Sequence, residues 1–443
     1  MKNKTVYLLV LLFLIPFLAD AQNTAELSLS EAINKALDEN HSIIISRNLT
    51  EIDENSVTLG NAGYLPNLSL NSSYRESIED SRLEFANQPG QDVEGSRASQ
   101  FNASLDLEWV LFDGFGNRYR LQSLERGRDL SEVQSRAEIE TTLLEVINRY
   151  LEVSTQAQLL EVTKEAVEIS NERYQRAKEN FEAGGGSRVD LLNAEVNLNQ
   201  DSVRVVETEV NLNRAKRNLQ VLLGDNPSGD VTVQQEFELD QQLSLDDLLL
   251  KSASSNASLR SAAIELEQAK LQLQETQSGR YPQISTNASY NYNRLESDAG
   301  QFTFQETDGF NAGITLSFPI FDGFRRNISV QNDKIRVKNS EEQRRLAEKE
   351  IESALLNAYE TYNSNLYLLE KQQLNVETAE LNFERTRLAF EQGQVSNTDF
   401  REAQLNLLET RQALISQRVE AKLSEIELLQ ISGQILNRVA ESN

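Results

Sequence analysis

The sequence has no cysteine and a single histidine, His41, in 443 residues. The absence of cysteine excludes disulfide bonds, thiolate metal sites, cysteine nucleophiles and a lipidated N-terminal cysteine. A single histidine excludes a multi-histidine metal centre and argues against a Ser-His-Asp triad. Because no convergent polar cluster stands out elsewhere, the sequence predicts neither an enzyme nor a cofactor-binding protein.

Residues that interrupt secondary structure are also scarce, with only 6 Pro and 19 Gly, which favours long uninterrupted elements. The mean hydropathy is -0.49, too polar for a bundle of membrane helices. Acidic residues outnumber basic ones by 69 to 43, giving a formal charge of -26. Such a surface would repel phosphate groups, so a nucleic-acid partner is excluded.

The N-terminus has the pattern of a secretory signal peptide over residues 1–21. Lys2 and Lys4 precede 13 apolar residues, and Ala19-Asp20-Ala21 forms a cleavage site of small residues. The alternative is an uncleaved membrane anchor, for which 13 apolar residues are short compared with the roughly 20 needed to span a bilayer. We therefore predict an exported protein.

The rest of the chain reads as a tandem repeat, with halves at residues 22–232 and 233–443. Early motifs return 216 positions later and later motifs return 209 positions later, namely Leu27-Ser28-Leu29 as Leu243-Ser244-Leu245, Asn40 as Asn256, Pro66 as Pro282, Phe112-Asp113-Gly114-Phe115 as Phe321-Asp322-Gly323-Phe324, and Gly224 as Gly433. The seven-residue difference falls between Glu76 and Ser99, in polar sequence interpreted as a surface loop.

Each half has strand-like and helix-like periodicity in the same order. Residues 101–111 and 310–320 alternate apolar with polar side chains, as strands with one apolar face do. Helical periodicity covers about 30–61, 117–181 and 246–278, and a heptad seam runs from Leu191. A helix of about 65 residues would extend about 100 Å, long enough to be flanked by two shorter helices placed end to end.

Strands of about 10–12 residues suit a tilted crossing of a bilayer. A soluble sandwich would need more strands than these, and four strands cannot close a barrel in lipid. Closure therefore demands several chains, with apolar residues facing outer-membrane lipid and the helices in the periplasm. Trp109 and Phe318 lie where an aromatic girdle would, although packing at the strand–helix junction is the alternative.

Two pairs of segments resemble the strand-start and strand-exit motifs of TolC-like outer-membrane efflux proteins, and the match covers essentially the whole mature chain. They are Leu65-Pro66-Asn67-Leu68 with Tyr281-Pro282-Gln283-Ile284, and Phe112-Asp113-Gly114-Phe115 with Phe321-Asp322-Gly323-Phe324. The resemblance implies a mainly helical homotrimer with a 12-stranded β-barrel and a long periplasmic coiled-coil tunnel. It also implies a passive conduit working with a periplasmic adaptor and an inner-membrane transporter.

Two helix hairpins carry the candidate site residues. The resemblance implies that these hairpins form the periplasmic mouth that an adaptor grips. The residues implied to contact the adaptor are Gly184, Gly185, Gly186, Ser187, Gly393, Val395 and Ser396. The alternative is a plain turn, since Ser187-x-x-Asp190 and Ser396-x-x-Asp399 have the pattern of capping boxes. The resemblance also implies an acidic constriction at the entrance, formed by Asp399 and Glu402 with Asp190 as the first-half counterpart. Mutual repulsion should raise some of the pKa values of Asp399 and Glu402. The alternative is that these are first-turn acids that oppose the helix dipole.

A second class of function is a structural surface protein that uses a membrane barrel only as an anchor. Such a protein would extend its long helices outside the cell. Here the stretches that link strands are short and both helix sets join the same end of the strands. The sequence therefore favours the efflux and export channel.

Overall fold

The computed structural model describes residues 26–85, 88–239, 243–298 and 302–436. The signal peptide expected at 1–21 lies outside these residues. Two halves show the same order of two short helices, two strands, a long helix and a shorter helix. The elements are α1 (Leu29–Glu39), α2 (His41–Ser56), β1 (Asn67–Phe85), β2 (Gln88–Phe112), α3 (Gly116–Glu182), α4 (Arg188–Leu222), α5 (Leu245–Ser255), α6 (Ala257–Ser278), β3 (Gln283–Ser297), β4 (Phe304–Ser317), α7 (Arg325–Glu391) and α8 (Asn397–Ile431).

The four strands form one antiparallel sheet in the order β1-β2-β3-β4, so β1 and β4 are its edges within the chain. Side chains in one row across the sheet are all apolar and exposed, namely Leu70, Leu105, Tyr290 and Phe310. A row three residues along, on the opposite face, is polar, namely Ser73, Asn102, Asn293 and Thr307. The predicted alternation along the strands is therefore present, and it gives this sheet one apolar face and one polar face.

The strands are longer than the 10–12 residues expected, and the polar stretch 76–99 is not a loop. β1 and β2 continue to pair through it, from Glu76 opposite Ser99 to Phe85 opposite Gln88. Arg82 and Asp92 pair across this hairpin at 2.7 Å. Because most of its side chains are polar on both faces, the stretch lacks the apolar alternation by which a strand is recognised.

α3 and α7 each have 67 residues, which makes each about 100 Å long. α4 packs beside α3 and α8 beside α7 as antiparallel hairpins, and α1 and α2 also pack on α3. The two expected short-helix regions, 30–61 and 246–278, are each divided into two helices. Among the described residues, no helix is both long and apolar enough to cross a bilayer.

An asparagine causes each division. Asn40 Oδ1 accepts a hydrogen bond from the backbone N–H of Ser42 at 2.8 Å, so this residue caps α2. Its Nδ2 donates to the carbonyl of Leu222 at the end of α4, at 2.7 Å. Asn256 does the same in the second half, donating to the carbonyl of Ile431 at 2.9 Å. Each asparagine thus lies between two short helices placed end to end, and it ties their junction to the C-terminal end of α4 or α8.

Replacement of the buried Asn40 by alanine should lower the free energy of unfolding by about 2 kcal/mol, because it removes a helix cap and leaves the Leu222 carbonyl unpaired. Asn40→Asp keeps the capping oxygen but loses the donor, so it should also destabilise the protein. Asn55→Ala, at an exposed position of α2, is the matched control. Urea unfolding followed by circular dichroism at 222 nm measures all three, and equal midpoints for Asn40→Ala and Asn55→Ala would contradict the assignment.

Candidate functional site

The strand-start motifs lie at one end of the sheet. β1 begins immediately after Pro66, and β3 begins immediately after Pro282. Trp109, near the end of β2, donates its indole N–H to the carbonyl of Tyr64 at 2.8 Å. The indole therefore ties the start of the first hairpin to its end, a contact that sequence reasoning did not identify.

The strand-exit motifs turn the chain from strand to long helix at the same end of the sheet. Gly114 and Phe115 both have φ of 72°, and Phe324 has φ of 64° after Gly323 at 67°. A bulky residue in this left-handed conformation is strained. The contacts of the motif must therefore hold the phenylalanine in this turn. It stacks each second phenylalanine edge-on against the first, with ring centroids 5.4 Å apart in the first motif and 5.5 Å apart in the second.

The aspartates of the motifs sit at the N-termini of the long helices. Asp322 Oδ2 accepts a hydrogen bond from the backbone N–H of Arg326 at 3.3 Å. In the first motif the Asp113 carboxylate lies so close to Gly116 that a Cβ there would be 2.5 Å from its Oδ2. Negative charge at a helix N-terminus is stabilising, so these residues begin α7 and α3.

Aromatic residues around the junction are exposed on the single chain. Trp109 is 38 % exposed, Phe318 is 55 % exposed and Phe321 is 75 % exposed. Aromatic rings at the end of a sheet with an apolar face are typical of the membrane–water interface. Their positions suit the predicted girdle.

The helix hairpins turn through glycines with positive φ, Gly184 at 79° and Gly393 at 72°. A Cβ added at either position would meet nothing within 4 Å, whereas one at Gly186 would lie 2.9 Å from the backbone nitrogen of Phe181. Ser187 caps α4 but accepts from the N–H of Val189 at 3.0 Å, not from Asp190. The prediction of a capping box at Ser187 is therefore wrong, because the serine hydroxyl accepts from the residue before Asp190.

The second capping box is present. Ser396 donates its backbone N–H to Asp399 Oδ2 at 3.0 Å, and the Asp399 N–H donates to the Ser396 hydroxyl at 3.2 Å. Hydrogen bonds from the serine hydroxyl and backbone hold the pKa of Asp399 below its ordinary value. The expected rise in pKa is therefore not found for Asp399 in the single chain. Glu402 and Asp190 are exposed, and Val395 is half-buried.

A buried ionic cluster joins the two hairpins close to their tips. Arg401 of α8 donates two hydrogen bonds to the carboxylate of Asp201 in α4, at 2.6 and 2.9 Å. The Asp201 side chain is 1 % exposed and that of Arg401 is 11 % exposed. Ser170 of α3 donates to the same carboxylate, and Gln404 donates to Ser170 at 3.3 Å. Three helices thus share one desolvated carboxylate.

Arg173 extends this cluster on the side of α8. Its guanidinium donates to Asn397 Oδ1 at 2.8 Å and to Gln404 Oε1 at 3.2 Å, and it lies over the ring of Phe400. Burial, together with the nearby charge of Arg401, lowers the pKa of Arg173 to about 10. The neutral side-chain amides of Asn397 and Gln404 therefore bind a second buried cation, Arg173, where α3 meets α8.

Sequence reasoning missed the cluster, although a signal was present. The companion positions of the heptad seam in α4 run Ala194, Asp201, Thr208, Ala215 and Leu222, so a charged residue stands among apolar ones. A charged residue at a core position of a coiled coil requires a buried partner and specifies register. Among residues 26–85, 88–239, 243–298 and 302–436, no cluster of side chains is suited to hold a metal ion.

An amphipathic sheet that continues into two helix hairpins of about 100 Å defines the class of channel subunits with a helical tunnel. The family model described as "Outer membrane efflux protein" matches residues 32–225 and 248–434. The chain belongs to this family. Membership of this family confirms the prediction that the protein is an outer-membrane transport protein with a helical part in the periplasm. It also confirms the prediction that the protein is not an enzyme.

Individual proteins are similar at low identity. The chain is 20 % identical to the outer membrane protein TolC of Salmonella enteritidis over 351 residues, which cover 78 % of this chain and 71 % of TolC. The crystal structure of VceC from Vibrio cholerae matches with a TM-score of 0.70 at 17 % identity, covering 91 % of this chain and 96 % of VceC. That of the CmeC channel from Campylobacter jejuni matches with a TM-score of 0.72 at 17 % identity, covering 92 % and 86 %.

Replacement of Asp201 by asparagine should destabilise the helical part by about 3–5 kcal/mol, because Arg401 is left buried without its anion. Glu195→Gln removes an exposed carboxylate from the same helix and should change stability by less than about 0.5 kcal/mol. Guanidinium unfolding monitored at 222 nm compares the two. Equal stability of both variants would show that the cluster is solvated.

Proposed function

We propose that the protein is the outer-membrane conduit of a tripartite efflux or export system, passing cargo from the periplasm to the exterior. The observation that carries the proposal is that all four helix connections leave the sheet at one end. Trp109 lies opposite Thr286, and Gln283 lies opposite Ser317, so the strand termini joined to helices share that end. A surface adhesin would need long helices at the hairpin end, where the chain has only strand turns.

The conduit is a homotrimer with a 12-stranded barrel, assembled from two copies of one duplicated unit in each chain. Support comes from the two sheet edges, because unpaired backbone groups are not tolerated in lipid. The apolar row containing Leu105 faces lipid, and the polar row containing Asn102 faces a wet lumen. α3, α4, α7 and α8 continue this lumen through the periplasm.

The hairpin tips dock a periplasmic adaptor, which connects the conduit to an inner-membrane transporter. Gly184 and Gly393 are exposed and leave open space around the backbone, so the tips of a partner's helices can approach closely. Ser187 and Ser396 fix the start of the helix that follows each tip. Two similar tips per chain would give a trimer six docking points.

The double variant Gly184→Leu and Gly393→Leu should abolish efflux while the oligomer stays in the outer membrane. Leucine side chains would fill the space that the partner needs, and a Cβ at either site would meet nothing within 4 Å in its own chain. Gly95→Leu is the matched control, because Gly95 also has positive φ and open surroundings but lies in the strand hairpin. Dye efflux in cells carrying the adaptor and pump is measured; unimpaired efflux would reduce the tips to plain turns.

Asp399 and Glu402 form an acidic constriction at the periplasmic mouth. They are three residues apart on α8, so they lie on one face of the helix about one turn apart. In a trimer they place two rings of three carboxylates near the mouth, which favours cations. The first half has Asp190 with a neutral Asn193 at the corresponding positions, which supports an inner, pore-facing position for the second hairpin.

The variant Asp399→Asn with Glu402→Gln should lower cation selectivity and weaken block by multivalent cations, measured in planar bilayers. Asp190→Asn should have a smaller effect. Since its cap lowers the pKa of Asp399, this carboxylate should keep its contribution to selectivity to a lower pH than an unperturbed aspartate, which is half neutral at pH about 4. The capping contribution of Asp399 to stability is likewise present above that range and is lost as the pH falls through its lowered pKa.

Unchanged selectivity and block in the double variant would leave Asp399 as a helix cap alone. A loss of the oligomer in that variant would instead show that the cap is essential to the fold. Asp399→Ser, which removes the charge but keeps a short polar side chain, separates the two roles, because only the electrostatic role requires a carboxylate.

A further inference from the structure

α3 and α8 enclose a groove of about 570 Å³ near the middle of α3. It extends over residues 141–155 of α3, about four helical turns, and over residues 416–423 of α8. Leu144, Val419 and Leu423 are half-buried, because they pack against the hydrophobic core and also line the groove. A partly apolar groove of this volume is typical of sites that bind small organic molecules.

The charged side chains that line the groove are mostly acidic. The guanidinium of Arg149 lies 3.0 Å from the carboxylate of Glu152 and 3.8 Å from that of Glu145, so its charge is already balanced. Glu420 of α8 is exposed, and within the described residues it has no ion pair. Three carboxylates and one guanidinium leave the groove with a net charge of -2. Its lining is therefore complementary to an organic cation that carries apolar substituents.

The internal repeat shows that these charges are particular to this groove. At the offset of 209 that relates the two halves, every charged position of the groove is neutral in the other copy, where the corresponding residues are Ala354, Ala358 and Thr361 in α7 and Asn211 in α4. A face that only keeps the helices hydrated would be polar or charged in both copies. The acidic set therefore belongs to the groove and not to the architecture that the halves share.

The groove and the belt, defined as α1 with residues 231–238, lie on opposite sides of the helical wall. α1 packs on the face of α3 that carries Leu143 and Tyr150. Glu145 and Glu152 of the groove lie about half a turn around the helix axis from these two residues. The groove therefore opens away from the belt.

α8 shows the same orientation. Arg418 donates to the carbonyl of Phe237 at 3.3 Å and Lys422 donates to that of Glu238 at 2.8 Å, so this face of α8 meets the belt. Glu420 lies between them in sequence and about half a turn around the helix axis. In the proposed tunnel, a belt on the inner side of the wall would fill the lumen. The belt therefore lies outside the tunnel, and the groove opens to the lumen.

We propose that the groove between α3 and α8 binds organic cations with apolar substituents, which enter it from the lumen of the tunnel. The cationic centre lies beside Glu420, and the substituents contact Leu144, Val419 and Leu423. The inference rests on the proposed conduit and adds to it a class of ligand and a place where that ligand binds. Each chain of the oligomer contributes one such groove, at the same level of the tunnel.

Tetraphenylphosphonium and tetraphenylborate are matched probes for the groove, because they share one shape and have opposite charge. Equilibrium dialysis against the detergent-solubilised protein, corrected for uptake by micelles alone, measures their binding. Tetraphenylphosphonium should bind saturably at one molecule per chain, and tetraphenylborate should not bind saturably.

Variants of α8 locate the bound cation. Glu420→Gln should weaken tetraphenylphosphonium binding about fivefold, the effect of one charge pair in contact with water. Ser416→Phe should abolish binding, because its ring would occupy the groove. Glu427→Gln is the matched control and should leave the affinity unchanged, because Glu427 is an exposed carboxylate on the same face of α8 two turns beyond Glu420. Circular dichroism at 222 nm checks that each variant is folded.

The side of the wall on which the groove opens has its own test, which is clean because the protein has no cysteine. A methanethiosulfonate reagent that carries a trimethylammonium group should lower the conductance of Ser416→Cys in planar bilayers. It should leave the conductance of Asp38→Cys unchanged, because Asp38 is exposed on α1 in the belt. A fall in conductance for Asp38→Cys alone would overturn the luminal position of the groove.

The outcomes separate the groove from the channel. Weaker binding in Glu420→Gln but not in Glu427→Gln supports the site. Equal weakening in both variants, or saturable binding of tetraphenylborate, overturns it, because a diffusely negative lumen or an unselective apolar surface would then explain the uptake. A conducting oligomer that binds no tetraphenylphosphonium also overturns the site while the channel stands. Binding that depends on Glu420 in a protein that conducts no ions supports the groove and contradicts the proposed function.

Discussion

Backbone hydrogen bonding at the edges of the sheet is the constraint on which the rest of the structure depends. β1 and β4 each leave one row of N–H and C=O groups without a strand partner in the chain. In lipid such groups carry a cost of several kcal/mol each, and only closure removes it. The same sheet exposes a row of apolar side chains that includes Leu70 and Phe310. In the proposed channel, membrane insertion and closure are therefore a single requirement.

The helical part satisfies a different constraint, the uniqueness of register in two long hairpins. An apolar heptad seam of this length can slip by whole heptads at little cost. Buried polar contacts remove that freedom, since the bidentate pair of Arg401 and Asp201 can form in one register only. Tyr150, near the middle of α3, fixes a different contact, because its buried hydroxyl donates to the carbonyl of Leu27 at 2.8 Å and ties the segment before α1 to α3.

Periodicity in the sequence predicted the features that depend on a repeated apolar face. The long helix was expected at 117–181 and is found at Gly116–Glu182, and its copy is found at Arg325–Glu391. Features set by one polar residue were missed, because one residue does not change a period. The helix breaks depend on Asn40 and Asn256 alone, and the ionic cluster depends on a partner 200 positions away from Asp201.

Differences between the two halves are informative because the halves share one architecture. Gly114 is covered within the chain and Gly323 is not, so identical motifs have acquired different neighbours. The tips differ too, since Ser396 and Asp399 form a reciprocal cap that Ser187 and Asp190 do not. A carboxylate that caps its own helix is held in position without any partner chain. In the proposed channel, Asp399 would therefore present its charge at the mouth without the further cost in side-chain ordering that an uncapped acid bears.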